Sequence, residues 1–159
     1  MSLNLKNFKK HFLFLFFFFL NHLITWGFEN ANGAYPNPNF KANEIVKIQL
    51  SAMKQNDPSN HGIEITFRFA SPKNKIQTGP LSRFISLLKN TTYKHLLNHK
   101  DSTFLDLQKN GSQAIQDVII TTSKGLIKGF RFFLSLQKVE KFKNCWMTDA
   151  VIPFNVLDT

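Results

Sequence analysis

The chain holds one cysteine, Cys145, in 159 residues. A lone cysteine excludes an internal disulfide and a cysteine-rich zinc site. Arginine is nearly as scarce: only Arg68, Arg83 and Arg131 stand among twenty basic residues, and the other seventeen are Lys. Specific nucleic-acid sites favour arginine forks. The lysines beyond residue 33 are scattered from Lys41 to Lys143, with no run longer than Lys73-Asn74-Lys75 or Lys141-Phe142-Lys143. Nucleic acid is therefore not expected as a partner. The seven glycines form no phosphate-cradling loop, no Gly-x-Ser-x-Gly nucleophile motif occurs, and nothing calls for a cofactor.

What the chain does have is phenylalanine. From Phe12 to Leu20 run nine apolar residues, six of them Phe, preceded by Lys6, Lys9, Lys10 and His11. A basic start followed by an apolar run is how export signals are built. Nine helical residues rise roughly 14 Å, short of the roughly 30 Å hydrocarbon core. Extending the run to Phe28 brings Asn21 and His22 into its middle. The segment thus fits a cleaved signal, with Ala31 and Gly33 as the small residues before a cut at Ala34. The alternative is a retained anchor that ties the protein to the membrane, its lysines held inside. Both readings export the domain to the far side of a membrane.

Residues 1–33 are accordingly set apart as signal or anchor, 34–40 as a proline-containing linker, 41–154 as the domain and 155–159 as a tail. Past residue 33 there are seventeen basic and nine acidic residues, a net charge of about +8 with histidines neutral. Weak attraction to an anionic membrane surface suits such diffuse charge.

A helix is predicted from Lys41 to about Gln55, with Ala42, Ile45, Val46, Leu50 and Met53 inward and Lys47, Gln49 and Lys54 outward. Asp57-Pro58 ends it. A second helix covers Gly62 to Phe69 and stops at Ser71-Pro72. A loop from Lys73 to Gly79 leads into a third helix opened by Pro80. After Asn98 the period changes to alternation. Four strands are expected, near 103–108, 113–122, 126–137 and 142–152, with Asn110-Gly111 and Lys124-Gly125 as hairpin turns. Leu126, Phe130, Phe132, Leu134 and Leu136 should share the core face. Helices first and an antiparallel sheet second make an α+β domain with helices on one side of a curved sheet.

That layout is similar to the nuclear transport factor 2-like cone. More specific strings are His61-Gly62-Ile63-Glu64, Phe67-Arg68-Phe69-Ala70-Ser71-Pro72, Thr78-Gly79-Pro80-Leu81-Ser82-Arg83-Phe84 and Cys145-Trp146-Met147-Thr148-Asp149-Ala150-Val151. Together they resemble the domain-of-unknown-function family numbered 4864, in the form seen in cyanobacteria and plant chloroplasts, over roughly Asn43 to Phe154. The resemblance implies the cone fold and a photosynthetic setting, hence the periplasm or thylakoid lumen. It carries over no activity and no catalytic residue.

Hairpin arithmetic supplies the sharpest chemical candidate. With one turn centred on Lys124, Asp117 faces Arg131; with the next centred near Glu140, Arg131 faces Asp149. An acid, an arginine and an acid in a row resemble the trio of cone-fold epoxide hydrolases. Against it, Arg131 lies on the face opposite Phe130 and Phe132, where cross-strand charges commonly form a solvated pair. Trp146 and Thr148, expected to share a face with Ala150 and Ile152, would floor a ligand pocket or fill the core. Arg68 would hold an anionic ligand at the cone mouth or sit in a surface ion pair. Cys145 reads as a small buried hydrophobe. Of His61, His95 and His99, only His61 has a carboxylate at helical spacing, Glu64, so no metal site is expected; His61 reads as a helix cap.

The sequence thus points to an exported, non-catalytic module for small-ligand binding or protein assembly, with Phe133, Met147 and Val151 suited to a homodimer contact on the open sheet face. The alternative is a lyase, isomerase or hydrolase using an acid inside the cone.

Overall fold

A computed structural model describes residues 33–156. The phenylalanine run and the basic residues before it, with the signal or anchor read from them, lie outside the described residues, as do the last three residues of the tail.

Helix α1, Ala42–Lys54, starts where the Glu44 carboxylate accepts from the Lys41 backbone N–H at 2.7 Å. This is one half of a capping box. Helix α2, His61–Arg68, is capped by the residues before it: Asp57 Oδ1 accepts from the His61 N–H and Asn56 Oδ1 from the Ile63 N–H, both at 3.1 Å. The cap is thus made by side chains upstream of His61, which itself offers only its N–H. Gly62 lets α1 and α2 touch, since a Cβ there would run into the Ala52 carbonyl oxygen.

Residues 72–78 correct the expected loop. They form helix α3, Pro72–Thr78, because Ser71 Oγ accepts from the Asn74 N–H at 3.2 Å and Pro72 takes the first turn. The Ser-Pro pair that stops one helix starts the next. Helix α4, Leu81–Leu88, and a 3₁₀ turn, Lys94–Leu96, complete the helical part before the sheet, and a further 3₁₀ turn, Glu140–Phe142, lies between the last two strands.

Strands β1 (Asp101–Phe104), β2 (Gln108–Asn110), β3 (Gln113–Thr121), β4 (Ile127–Leu136) and β5 (Trp146–Phe154) form an antiparallel sheet. The order is β1-β3-β4-β5, with β2 pairing the other half of the β3 edge that β1 occupies. The first expected strand is therefore two. Between them the buried Gln116 side chain donates to the Leu105 carbonyl and replaces the ladder bond lost there.

Phe130, Phe132 and Leu134 are at most 2% exposed and pack with Val118 and Ile120 beneath Ile45, Val46 and Met53 of α1. Leu126 falls in the turn and is half exposed, so the core stripe is shorter than its sequence pattern. Among the described residues four helices and five strands thus make an α+β domain with an open sheet. Residues 34–40 lie on this domain and do not merely tether it: Phe40 packs 6.3 Å from Phe69, Tyr35 lies under Arg68, and Ala34 touches the core. Among the described residues no helix is long and apolar enough to cross a membrane.

Candidate functional site

Between the helices and the sheet lies a cavity of about 200 Å³. Its walls are largely apolar: Met53 from α1, Phe84, Leu87 and Leu88 from α4, Leu96, and Phe132 from the sheet. Asn74, Gln77 and Thr78 of α3 border it on one side and Asp149 to Val151 of β5 on another.

Four polar residues of this cavity, Gln49, Thr66, Asn74 and Thr148, are tied to one another. Thr148 Oγ1 donates to Gln49 Oε1 at 2.7 Å, and Gln49 Nε2 donates to the Thr66 carbonyl at 3.0 Å. Thr66 Oγ1 donates to the Gly62 carbonyl at 2.9 Å, and Asn74 Nδ2 to the Thr148 carbonyl at 3.1 Å. Tyr93 sends its hydroxyl to the Val151 carbonyl at 3.0 Å. A connected, buried network of this kind holds its members rigidly. Of the described residues lining the cavity, only Asp149 and Tyr93 are ionisable, and none is His, Cys, Lys or Arg.

Gln49 corrects an expectation. Placed on the outer face of α1 by its polarity, it is 2% exposed and belongs to the inward set. Its spacing from Ala42, Ile45, Val46 and Met53 follows the helical period and carries the signal.

The acid, arginine and acid row is broken. Asp117 pairs with Arg131 as the hairpin arithmetic requires, with Nε to Oδ1 and Nη2 to Oδ2 both at 2.7 Å. Asp117 raises the Arg131 pKa above its ordinary value, first through this hydrogen bond and then through its charge. Arg131, however, faces Ile152 across β5, not Asp149. The β4–β5 turn is centred one residue later than expected, which moves the partner by two. A β-bulge moves it by one more: Phe133 pairs with Ala150 and Leu134 with Thr148, leaving Asp149 without a partner strand residue. The Asp117–Arg131 pair lies on the sheet face away from the helices. Asp149 borders the helix-side cavity and also a groove near Gln108, Asn110 and Phe133.

The same bulge divides the expected face of β5. Trp146 and Thr148 point to the helix side, while Ala150 and Ile152 turn outward and Val151 replaces them against the core. Thr148 lines the cavity; Trp146 fills the core beside it, with Lys109 Nζ 5.4 Å from its ring. The trio proposed for a dimer contact is also split, because Met147 is fully buried and Val151 packs inward, leaving Phe133 on the outer face. Arg68 pairs with Glu64 at 2.8 Å and stacks on Tyr35 at 4.7 Å, outside the cavity lining. Gly33 is exposed, one residue before Ala34 meets the core.

Cys145 is 4% exposed and burial pushes its thiol pKa up, away from reactivity. His61 approaches Glu64 at 3.7 Å. Among the described residues no group of three or more His, Cys, Asp or Glu converges as a metal site.

No curated protein and no solved structure matches the chain. The family profile described as "Domain of unknown function (DUF4864)" matches residues 37–154, an interval that takes in all the helices and strands described and every residue of the cavity. The chain belongs to the DUF4864 family.

Proposed function

We propose that this domain is a cone of the nuclear transport factor 2-like kind, exported by its phenylalanine-rich start, that binds a small, largely apolar molecule between helices and sheet without altering it chemically. The observation that carries the reading is the makeup of the cavity. Apolar walls surround a Gln49, Thr66, Thr148 and Asn74 network already bonded within itself, a setting that favours orientation over reaction. General acid–base chemistry asks for a positioned donor and acceptor at the reacting atoms. Here the Tyr93 hydroxyl is engaged with a backbone carbonyl, which leaves Asp149 alone. A volume of about 200 Å³ falls below the drug-sized range of roughly 300–1,000 Å³, so the ligand is small.

Native mass spectrometry of the full chain, before and after incubation with small apolar alcohols and amides, tests the proposal. One adduct per chain is expected. It should disappear in Ala70→Leu, because Ala70 lines the cavity and is 1% exposed, so added carbons occupy the ligand's space. A chain that takes up none of these compounds, or a variant that binds them as well, overturns it.

A further inference from the structure

We infer that Lys73 and Ile76 of α3, with Lys138, Val139 and Lys141 of the β4–β5 loop, form a docking face for an anionic lipid bilayer. Two exposed aliphatics stand among these lysines: Ile76 is 83% exposed and Val139 is 50% exposed. Ile76 is the most exposed large hydrophobic among the described residues.

The fold holds both segments in place. Asn74 is buried and anchored to the Thr148 carbonyl at 3.1 Å, which sets the rotation of α3. Lys73 and Ile76, three residues apart, then share its outer side. In the loop, the Phe142 N–H donates to the Val139 carbonyl at 3.0 Å and the Cys145 N–H to the Phe142 carbonyl at 2.9 Å. The Gln137 N–H closes the base on the Cys145 carbonyl at 2.9 Å. Val139 is therefore presented by an internally bonded loop.

Phe142 joins the two segments. Lys75 Nζ lies 5.6 Å from its ring centre and Lys141 Nζ 5.4 Å. Lys75 is half-buried, with its ammonium donating to the Arg68 carbonyl at 3.2 Å, and burial first, then the charge of Lys141, holds its pKa below the ordinary value. Residues 72–78 and 138–143 together contain five lysines and one carboxylate, Glu140, which sits 3.9 Å from Lys143. The charge is thus nearly uncompensated from within. A bilayer takes both kinds of group at once: aliphatics enter the acyl boundary while lysine stems lie along it and their ammonium groups reach phosphates. This face is separate from the cavity, and its inference does not depend on what the cavity binds.

The test uses the full chain with a local reporter, since the apolar N-terminal run could bind lipid by itself. Cys145 is the only cysteine and is buried, so Ile76→Cys, Val139→Cys or Ile152→Cys each provides one accessible thiol for an environment-sensitive dye. Vesicles of phosphatidylcholine with about one-third phosphatidylglycerol should blue-shift the dye at 76 and 139 but not at 152 on the outer sheet face. Vesicles of phosphatidylcholine alone should leave all three unmoved. Adding Lys73→Glu and Lys141→Glu should raise the lipid concentration for half-maximal shift at least about tenfold, given about fivefold per lysine near an anionic surface. A silent dye at 76, an equal response at 152 or an equal response to the neutral vesicles overturns the inference. So does a dye that ignores vesicles and responds to polyglutamate, which would assign the face to an acidic protein.

Discussion

On the helix side of β4, Phe130, Phe132 and Leu134 are at most 2% exposed; between them, on the other side, Arg131 is open to water and Phe133 only half-buried. Neighbouring residues of one strand thus live in different solvents. Water is excluded where α1 covers the sheet, so packing and hydrogen bonds there carry their full weight. On the open face, charge pairs exchange with solvent and contribute little. The side on which a polar group lies matters more than how well it is paired.

The sharpest way to break this comparison is a pair of truncations. Phe132→Ala should destabilise the domain by about 3–5 kcal/mol, through lost transfer energy and a cavity that the sheet cannot close. Phe133→Ala, one residue away, should lose well under half as much. Urea denaturation of both variants checks it. Equal losses would mean that the outer face is also sealed.

Polar leverage on the helix side is tested at Gln49. Gln49→Leu strands the buried Thr148 hydroxyl and should destabilise by about 1–3 kcal/mol. Thr148→Val in the same chain removes the orphan and should recover part of that loss, so a double-mutant cycle should be strongly non-additive. Additive losses would show that the two groups do not act as a unit.

A smaller effect is expected from His99, which is 3% exposed and donates Nδ1–H to the Leu96 carbonyl at 2.8 Å. Burial, then the nearby Lys54, depresses its pKa; the Leu96 bond and Asp101 oppose them only in part. The unfolded chain therefore binds this proton more readily than the native one. Its contribution to stability is complete above about 6.5, the ordinary imidazole value, and is lost as pH falls from there through the depressed native value. Thermal midpoints recorded across that window should drop for the native chain and drop less for His99→Gln. Parallel curves would place the titration elsewhere.

The sequence reveals one side of the molecule better than the other. Helical spacing placed α1 and α2 and the alternation in β4, because burial there imposes a period that hydrophobic residues must follow. Turn residues at Lys124-Gly125 set the β3–β4 register, so the facing of Asp117 and Arg131 was legible too. Ser71-Pro72 was ambiguous, since the pair both stops a helix and starts one, and α3 was missed. The bulge at Asp149 left no mark: Trp146 to Val151 read as an unbroken alternation, and a one-residue slip exchanges the faces of everything beyond it. The cavity was legible only in part. Of its bonded polar residues Thr148 was expected on a pocket floor, Gln49 was placed outward by its polarity, and Thr66 was not singled out, because the partners that hold them together lie far away in the chain.

The Asp117–Arg131 pair should produce the smallest effect, and that is what makes it informative. Its geometry is good: two parallel bonds of 2.7 Å join the guanidinium to the carboxylate. By geometry alone it would rank among the strong contacts of the domain. Yet Arg131 is solvent-exposed, and truncating it opens the Asp117 carboxylate, 14% exposed while the guanidinium lies on it, to water. Arg131→Ala should therefore move the urea midpoint too little to resolve beside Phe132→Ala, and added salt should shrink even that difference. Repeating the measurement over a wide range of protein concentration sharpens the comparison. A monomer with an open face shows the same negligible loss throughout. A loss that grows with concentration would mean that another copy covers the outer face and takes the pair out of water, where removing one partner strands the other charge and becomes strongly destabilising.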